Sequence, residues 1–165
     1  MQKLLVVVIF LTMVLGCKKE AKETNGDENE LVFFSFQNMP RTQEVNAEAE
    51  EILNNWKEFQ ALQSSFNVMN KASNNEDLAL AIDDLLEKEK SLREGDYPEA
   101  FDKPQIKSRQ RVLRTYLLKI KSSIADRTDV NEPMKQMLEA NNAWRAQFNV
   151  LVNNKLDLKL ILDEQ

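Results

Sequence analysis

Chemistry in this chain has to come from carboxylates, because the other usual reactive side chains are scarce. There is a single cysteine, Cys17, and no histidine, against 27 Asp and Glu residues. Without histidine there is no Ser-His-Asp triad, no His-Glu-x-x-His zinc site and no Glu-x-x-His pair of a di-iron bundle. The commonest general base near neutral pH is missing too. Two carboxylates flanking a bond can hydrolyse a glycoside, which leaves a carboxylate-dependent hydrolase as a third-ranked reading. Its obvious pair, Asp83 and Asp84, are neighbours in a helical stretch, so their side chains diverge by about 100°. The run from Asp126 through Asp129 and Asn131 to Glu132 holds four oxygen donors but lacks the spacing and glycine of an EF-hand calcium loop. Helix capping accounts for it. The expectation is a non-enzyme with no catalytic residue, no metal site and no cofactor.

The cysteine has its own context. Lys3 is followed by an uncharged, almost wholly apolar run from Leu4 to Leu15, and then by Gly16 and Cys17. That run is too short to cross a hydrocarbon core of about 30 Å, which takes roughly 20 helical residues. A positive start, a short apolar stretch and a small residue before the cut describe a secretory signal. Val14-Leu15-Gly16-Cys17 resembles the lipobox of bacterial lipoproteins. The resemblance covers residues 1–17 and implies cleavage after Gly16 by the lipoprotein signal peptidase, with lipid on Cys17. Lipid contributes about 0.8 kcal/mol per buried CH₂, so two or three chains hold firmly. The mature protein would be tethered to a membrane through Cys17. No Asp follows Cys17 directly, which by the same resemblance favours the outer membrane, facing the periplasm or the surface. An ordinary secreted chain with a chance cysteine is the alternative.

Removing 16 of the 165 residues leaves 149, about one domain. Lys3 is the only charge lost, so the balance becomes 21 basic against 27 acidic, or −6. Such a chain is a poor partner for nucleic acid, which repels it. With Cys17 lipidated no thiol remains for a disulfide, and stability rests on packing. Two glycines remain, Gly26 and Gly95, amid abundant Leu, Glu, Lys, Ala, Asn and Gln, a helical composition.

The expected organisation is a signal peptide over 1–16, a lipidated cysteine and disordered tether over 17–30, an extended apolar arm over 31–41 and a helical domain over 42–165. Lys18 to Glu30 has one apolar residue, Ala21, and cannot offset its ordering entropy. Leu31-Val32-Phe33-Phe34-Ser35-Phe36 reads as an arm laid in a groove or as a docking segment. Four amphipathic helices follow. The first, from Thr42, carries Val45, Ala49, Ile52, Trp56, Phe59, Leu62, Phe66 and Met69 on one face. Ser73-Asn74-Asn75-Glu76 matches a capping box and opens the second, which Gly95 ends. Pro104 starts the third. Asn131 and Pro133 start the fourth, where Asn141 interrupts the apolar seam and calls for a buried partner. The fold class is all-α, an antiparallel four-helix bundle with up-down-up-down order.

Two binding readings follow. In the first the domain binds an envelope protein or serves as a structural module there, with Tyr97 and Phe101, on the loop bracketed by Pro98 and Pro104, as the contact site. In the second, Trp56, Phe66, Trp144 and Phe148 line a space for a small apolar ligand. The basic face of the third helix is read as acid-paired or solvated.

Overall fold

The computed structural model describes residues 35, 36 and 38–163, with side chains as far as residue 153. The signal peptide, Cys17, the tether and Leu31–Phe34 lie outside the described residues. Within them the protein is all-helical, with five helices and no strand: α1 Ala47–Asn54, α2 Lys57–Met69, α3 Asn75–Glu94, α4 Pro104–Ala125 and α5 Asn131–Asp163. No helix among the described residues is long and apolar enough to cross a membrane.

The helix expected from Thr42 to Met69 is two. The amides of Asn55 and Trp56 turn back onto the Ile52 and Leu53 carbonyls, both at 3.2 Å, tightening the chain into a stop. Gln60 Nε2 donates to the Leu53 oxygen at 3.0 Å. Trp56 is extended (φ −95, ψ 98), and its ring stacks on Phe59 at 5.8 Å and meets Tyr97 at 5.0 Å. Periodicity carries across such a break, because a short non-helical step still returns the apolar side chains to one side.

Caps fix the other starts. The α3 cap is Asn74, one residue later than the sequence suggests: its Oδ1 accepts from the Asp77 amide at 2.7 Å. The Asp77 carboxylate accepts in return from the Ser73 hydroxyl at 3.1 Å and from Asn74 Nδ2 at 2.9 Å. Aspartate is shorter than glutamate, and from this position it reaches only the residues just before the helix. Pro104 opens α4 as expected. Asp129 Oδ1 accepts from the Asn131 amide at 3.0 Å and closes the start of α5.

Contacts run α2 to α3, α3 to α4 and α4 to α5, while α1 touches both α2 and α5. Inner faces follow a regular alternation of four and three. On α3 it runs Leu78, Ile82, Leu85, Glu89, Leu92, and on α4 Ile106, Gln110, Leu113, Leu117, Ile120, all buried. Each fully buried Leu or Ile contributes roughly 1.5–3 kcal/mol. Asn141 is buried as expected, but its Oδ1 has no donor among the described residues. The expected partner is missing there: Met137 and Phe148 beside it on α5 have no donor, and the Trp144 indole N–H is buried without a partner of its own.

Residues 35, 36 and 38–46 form a non-helical strap along α5. Phe36, Met39 and Val45 pack on the core. A stripe of side chains on α5 takes up the strap's backbone groups. The Ser35 amide donates to Asn131 Oδ1 (3.0 Å), the Gln43 amide to Asn142 Oδ1 (2.8 Å) and the Asn46 amide to Asn149 Oδ1 (2.8 Å). Asn142 Nδ2 donates to the Arg41 oxygen (2.7 Å) and Arg145 Nε to the Gln43 oxygen (2.5 Å). Gln43 to Asn46 is three residues, matched to seven of helix from Asn142 to Asn149. At 1.5 Å rise that is about 10.5 Å, the limit of an extended chain. Ser35 to Gln43 is slacker, and the surplus is taken up at Asn38, where φ is 63.

Candidate functional site

The loop from Gly95 to Lys103 was the expected contact site. Gly95 lies close to its surroundings: a Cβ there would crowd the Ser91 carbonyl oxygen at 3.0 Å and touch Glu58 Cγ at 3.5 Å. The loop then folds on itself, the Phe101 and Asp102 amides both donating to the Pro98 oxygen at 2.8 Å. Phe101 is directed inward. It has no exposed surface, and its ring lies 4.6 Å from that of Phe148. A surface contact through Phe101 is therefore closed in this arrangement, because burying the ring is worth more than displaying it. Tyr97 is half-buried against Trp56, with Lys107 Nζ 4.8 Å over its ring.

Beneath Tyr97 lies a polar network with no place in the sequence expectations. The Tyr97 hydroxyl donates to Gln110 Oε1. Gln110 Nε2 donates to Glu89 Oε1 at 3.0 Å, and Arg114 Nη1 holds Glu89 Oε2 at 2.6 Å. Arg93 Nε stands 3.8 Å from Glu89 Oε1. Glu89 is completely buried. Burial, and then the Glu89 charge, push the Tyr97 hydroxyl up to about 12. The signal for this network was in the spacing: Glu89 and Gln110 each hold a seam position in the alternation of four and three. Two polar residues at core registers of consecutive helices imply each other as partners.

The acids singled out in the sequence are engaged separately. Asp83 pairs with Lys121 at 2.6 Å, while Asp84 takes the Ser65 hydroxyl at 2.5 Å and Lys88 at 3.5 Å. In the loop before α5, Asp129 caps, Asp126 accepts from Ser122 and Glu132 from Gln136. Amide donation from Asn131 holds the Asp129 carboxyl below the usual carboxylate range. Among the described residues no three of His, Cys, Asp and Glu gather as a metal site. The rings of Phe59, Trp144 and Phe148 lie 5.2–5.7 Å from one another and fill the space between the helices.

A second locus lies where the strap, α1 and α2 face α5. A cleft of about 180 Å³ is floored by Leu53 and Phe59, flanked by Val45, and bounded by Glu50, Gln63 and Arg145. Arg145 is placed by its bonds to the Gln43 oxygen and to Gln63 Oε1 (3.0 Å). Burial lowers its hold on its proton, and the Glu50 charge opposes that effect. Sequence reasoning passed over it, although Asn142, Arg145, Asn149 and Asn153 fall at helical spacing on a single face. A stripe of amides with one guanidinium is a surface made to hold backbone and charge.

No protein-family model matches the chain, and no curated protein or solved structure is significantly similar to it.

Proposed function

We propose that this protein is an extracytoplasmic lipoprotein, held through lipid on Cys17 at the outer membrane, whose helical part binds a partner protein or serves as a structural module of the envelope. The finer architecture proposed is an antiparallel four-helix bundle of α2 to α5, with α1 and the strap bracing it. Links of five residues (70–74), nine (95–103) and five (126–130) support that topology, since short connections return each helix alongside the one before.

The observation that carries the reading is the pairing of the Val14-Leu15-Gly16-Cys17 motif with the strap. A chain drawn out of a membrane transmits load to whatever it joins, and seven hydrogen bonds join the strap to Asn side chains or Arg145 of α5. A fixed junction is what a tethered module needs. The separate engagement of Asp83 and Asp84, the one carboxylate pair the sequence offered, supports a non-enzymatic role. The contact between the aromatic rings speaks against a small apolar ligand between the helices. At the loop, Tyr97 with Lys107 remains the proposed partner contact.

The test is mass spectrometry of the mature protein from membranes, with crosslinking in whole cells beforehand. The expected result is an N-terminal lipidated Cys17 and a crosslinked protein, with Cys17→Ser moving the chain out of the membrane fraction. A free, unlipidated chain cut elsewhere would overturn the anchor.

A further inference from the structure

The cleft beside Arg145 holds charged and polar groups that the fold leaves only partly satisfied. Arg145 is half-buried, yet no carboxylate lies within the 4.0 Å of an ion pair among the described residues. Its Nε and Nη1 are spent on a carbonyl and an amide oxygen, neither of which carries charge. Gln63 gives its Oε1 to Arg145, and its buried Nε2 has no acceptor among the described residues. Glu50 lines the same cleft and is felt by Arg145 without pairing with it. A guanidinium taken partly out of water and left unpaired is costly, and a planar carboxylate is the group that best relieves it.

We propose that this cleft binds a small zwitterion, a free α-amino acid, with its carboxylate on Arg145 and Gln63 and its ammonium towards Glu50. Size and charge select that class. The volume of about 180 Å³ falls below the range of drug-sized ligand pockets, roughly 300–1,000 Å³. A simple anion would satisfy Arg145 and meet repulsion from Glu50, and a dianion such as phosphate would meet more. A simple cation reverses the problem. A molecule with both charges a few ångströms apart satisfies both walls, and half-buried Val45 is the apolar group its side chain meets, Leu53 and Phe59 being almost wholly covered.

The experiment is isothermal titration calorimetry of the full-length chain with L-alanine, L-serine and L-leucine. Each is run beside its deaminated acid and its decarboxylated amine, propionate and ethylamine in the case of alanine. The expected result is saturable binding of at least one amino acid, with both of its counterparts weaker by about tenfold or more. Glu50→Gln should weaken the amino acid about tenfold while leaving the deaminated acid bound as well as before or better. Arg145→Lys should weaken both. Arg145 also holds the strap, so that variant is first checked by circular dichroism. If it is unfolded, Glu50→Gln carries the test alone, since the Glu50 side chain makes no hydrogen bond or ion pair among the described residues, its amide bond to the Asn46 oxygen being untouched by the change. Saturation by none of the three amino acids, an acid counterpart binding as tightly as its amino acid, or binding unchanged in Glu50→Gln would each overturn the proposal.

Discussion

At the scale of single residues, the buried carboxylate of Glu89 sets the terms for its neighbours. Its charge is met by Arg114, and Gln110 passes the contact on to Tyr97. Glu89→Ala strands Gln110 Nε2 and a partly buried guanidinium, and should cost about 3 kcal/mol in urea unfolding. A loss within a few tenths of a kcal/mol would show the network to be replaceable. Tyr97 makes a sharper prediction. A group whose folded pKa is raised from 10.0 to about 12 keeps its proton more tightly when folded. The stability it contributes is fully present below pH 10 and is lost as pH climbs from about 10 to about 12. Thermal melts across that window should fall more steeply for the natural protein than for Tyr97→Phe. Parallel curves would place the hydroxyl outside the network. The sequence held the clue to Glu89 and Gln110 in their seam positions, but charge on a Glu-rich helix reads as surface until the register is counted.

At the scale of elements, the strap and α5 are one unit. Asn142 both accepts from the Gln43 amide and donates to the Arg41 carbonyl, the two-handed recognition that an extended chain offers its neighbour. Asn142→Ala should therefore raise amide hydrogen exchange at Gln43 by roughly a factor of ten, at about 1–2 kcal/mol of local stability, and leave the middle of α4 unchanged. Exchange that rises equally throughout the helices would mean the strap is part of the global unfolding unit. The starts of α4 and α5 were legible from Pro104 and Asn131. The split between α1 and α2 was not, because Asn55 and Trp56 are unremarkable in a helix and the stop is secured by Gln60 from the following turn.

At the scale of the whole molecule, the aromatic residues tie distant parts of the chain together. Phe101 from the loop, Phe59 from α2 and Trp144 from α5 all meet Phe148. Phe101→Ala should open a cavity in that cluster at a cost of about 3–5 kcal/mol, lowering the thermal midpoint while leaving a single transition. A small effect, or two separate transitions, would show the loop to be independent of the core. The charges follow the same layout. Basic α4 packs against acidic α3 with Lys121 on Asp83 and Arg114 on Glu89, the acid-paired form of the two readings of its basic face. The exposed one of these pairs is worth only a few tenths of a kcal/mol.

The sequence by itself determined the helical class, the apolar faces of α3, α4 and α5 and most of their ends. These are local properties, set by a period of 3.6 and by caps within a few residues. Tertiary structure alone decided what those faces meet. It turned Phe101 inward, left Asn141 Oδ1 without a donor, joined Glu89 to Gln110 across two helices and brought Gln43 to Asn142 over 99 residues of chain. Periodicity says which side of a helix is buried. It carries no information about which residue, far along the chain, will cover it.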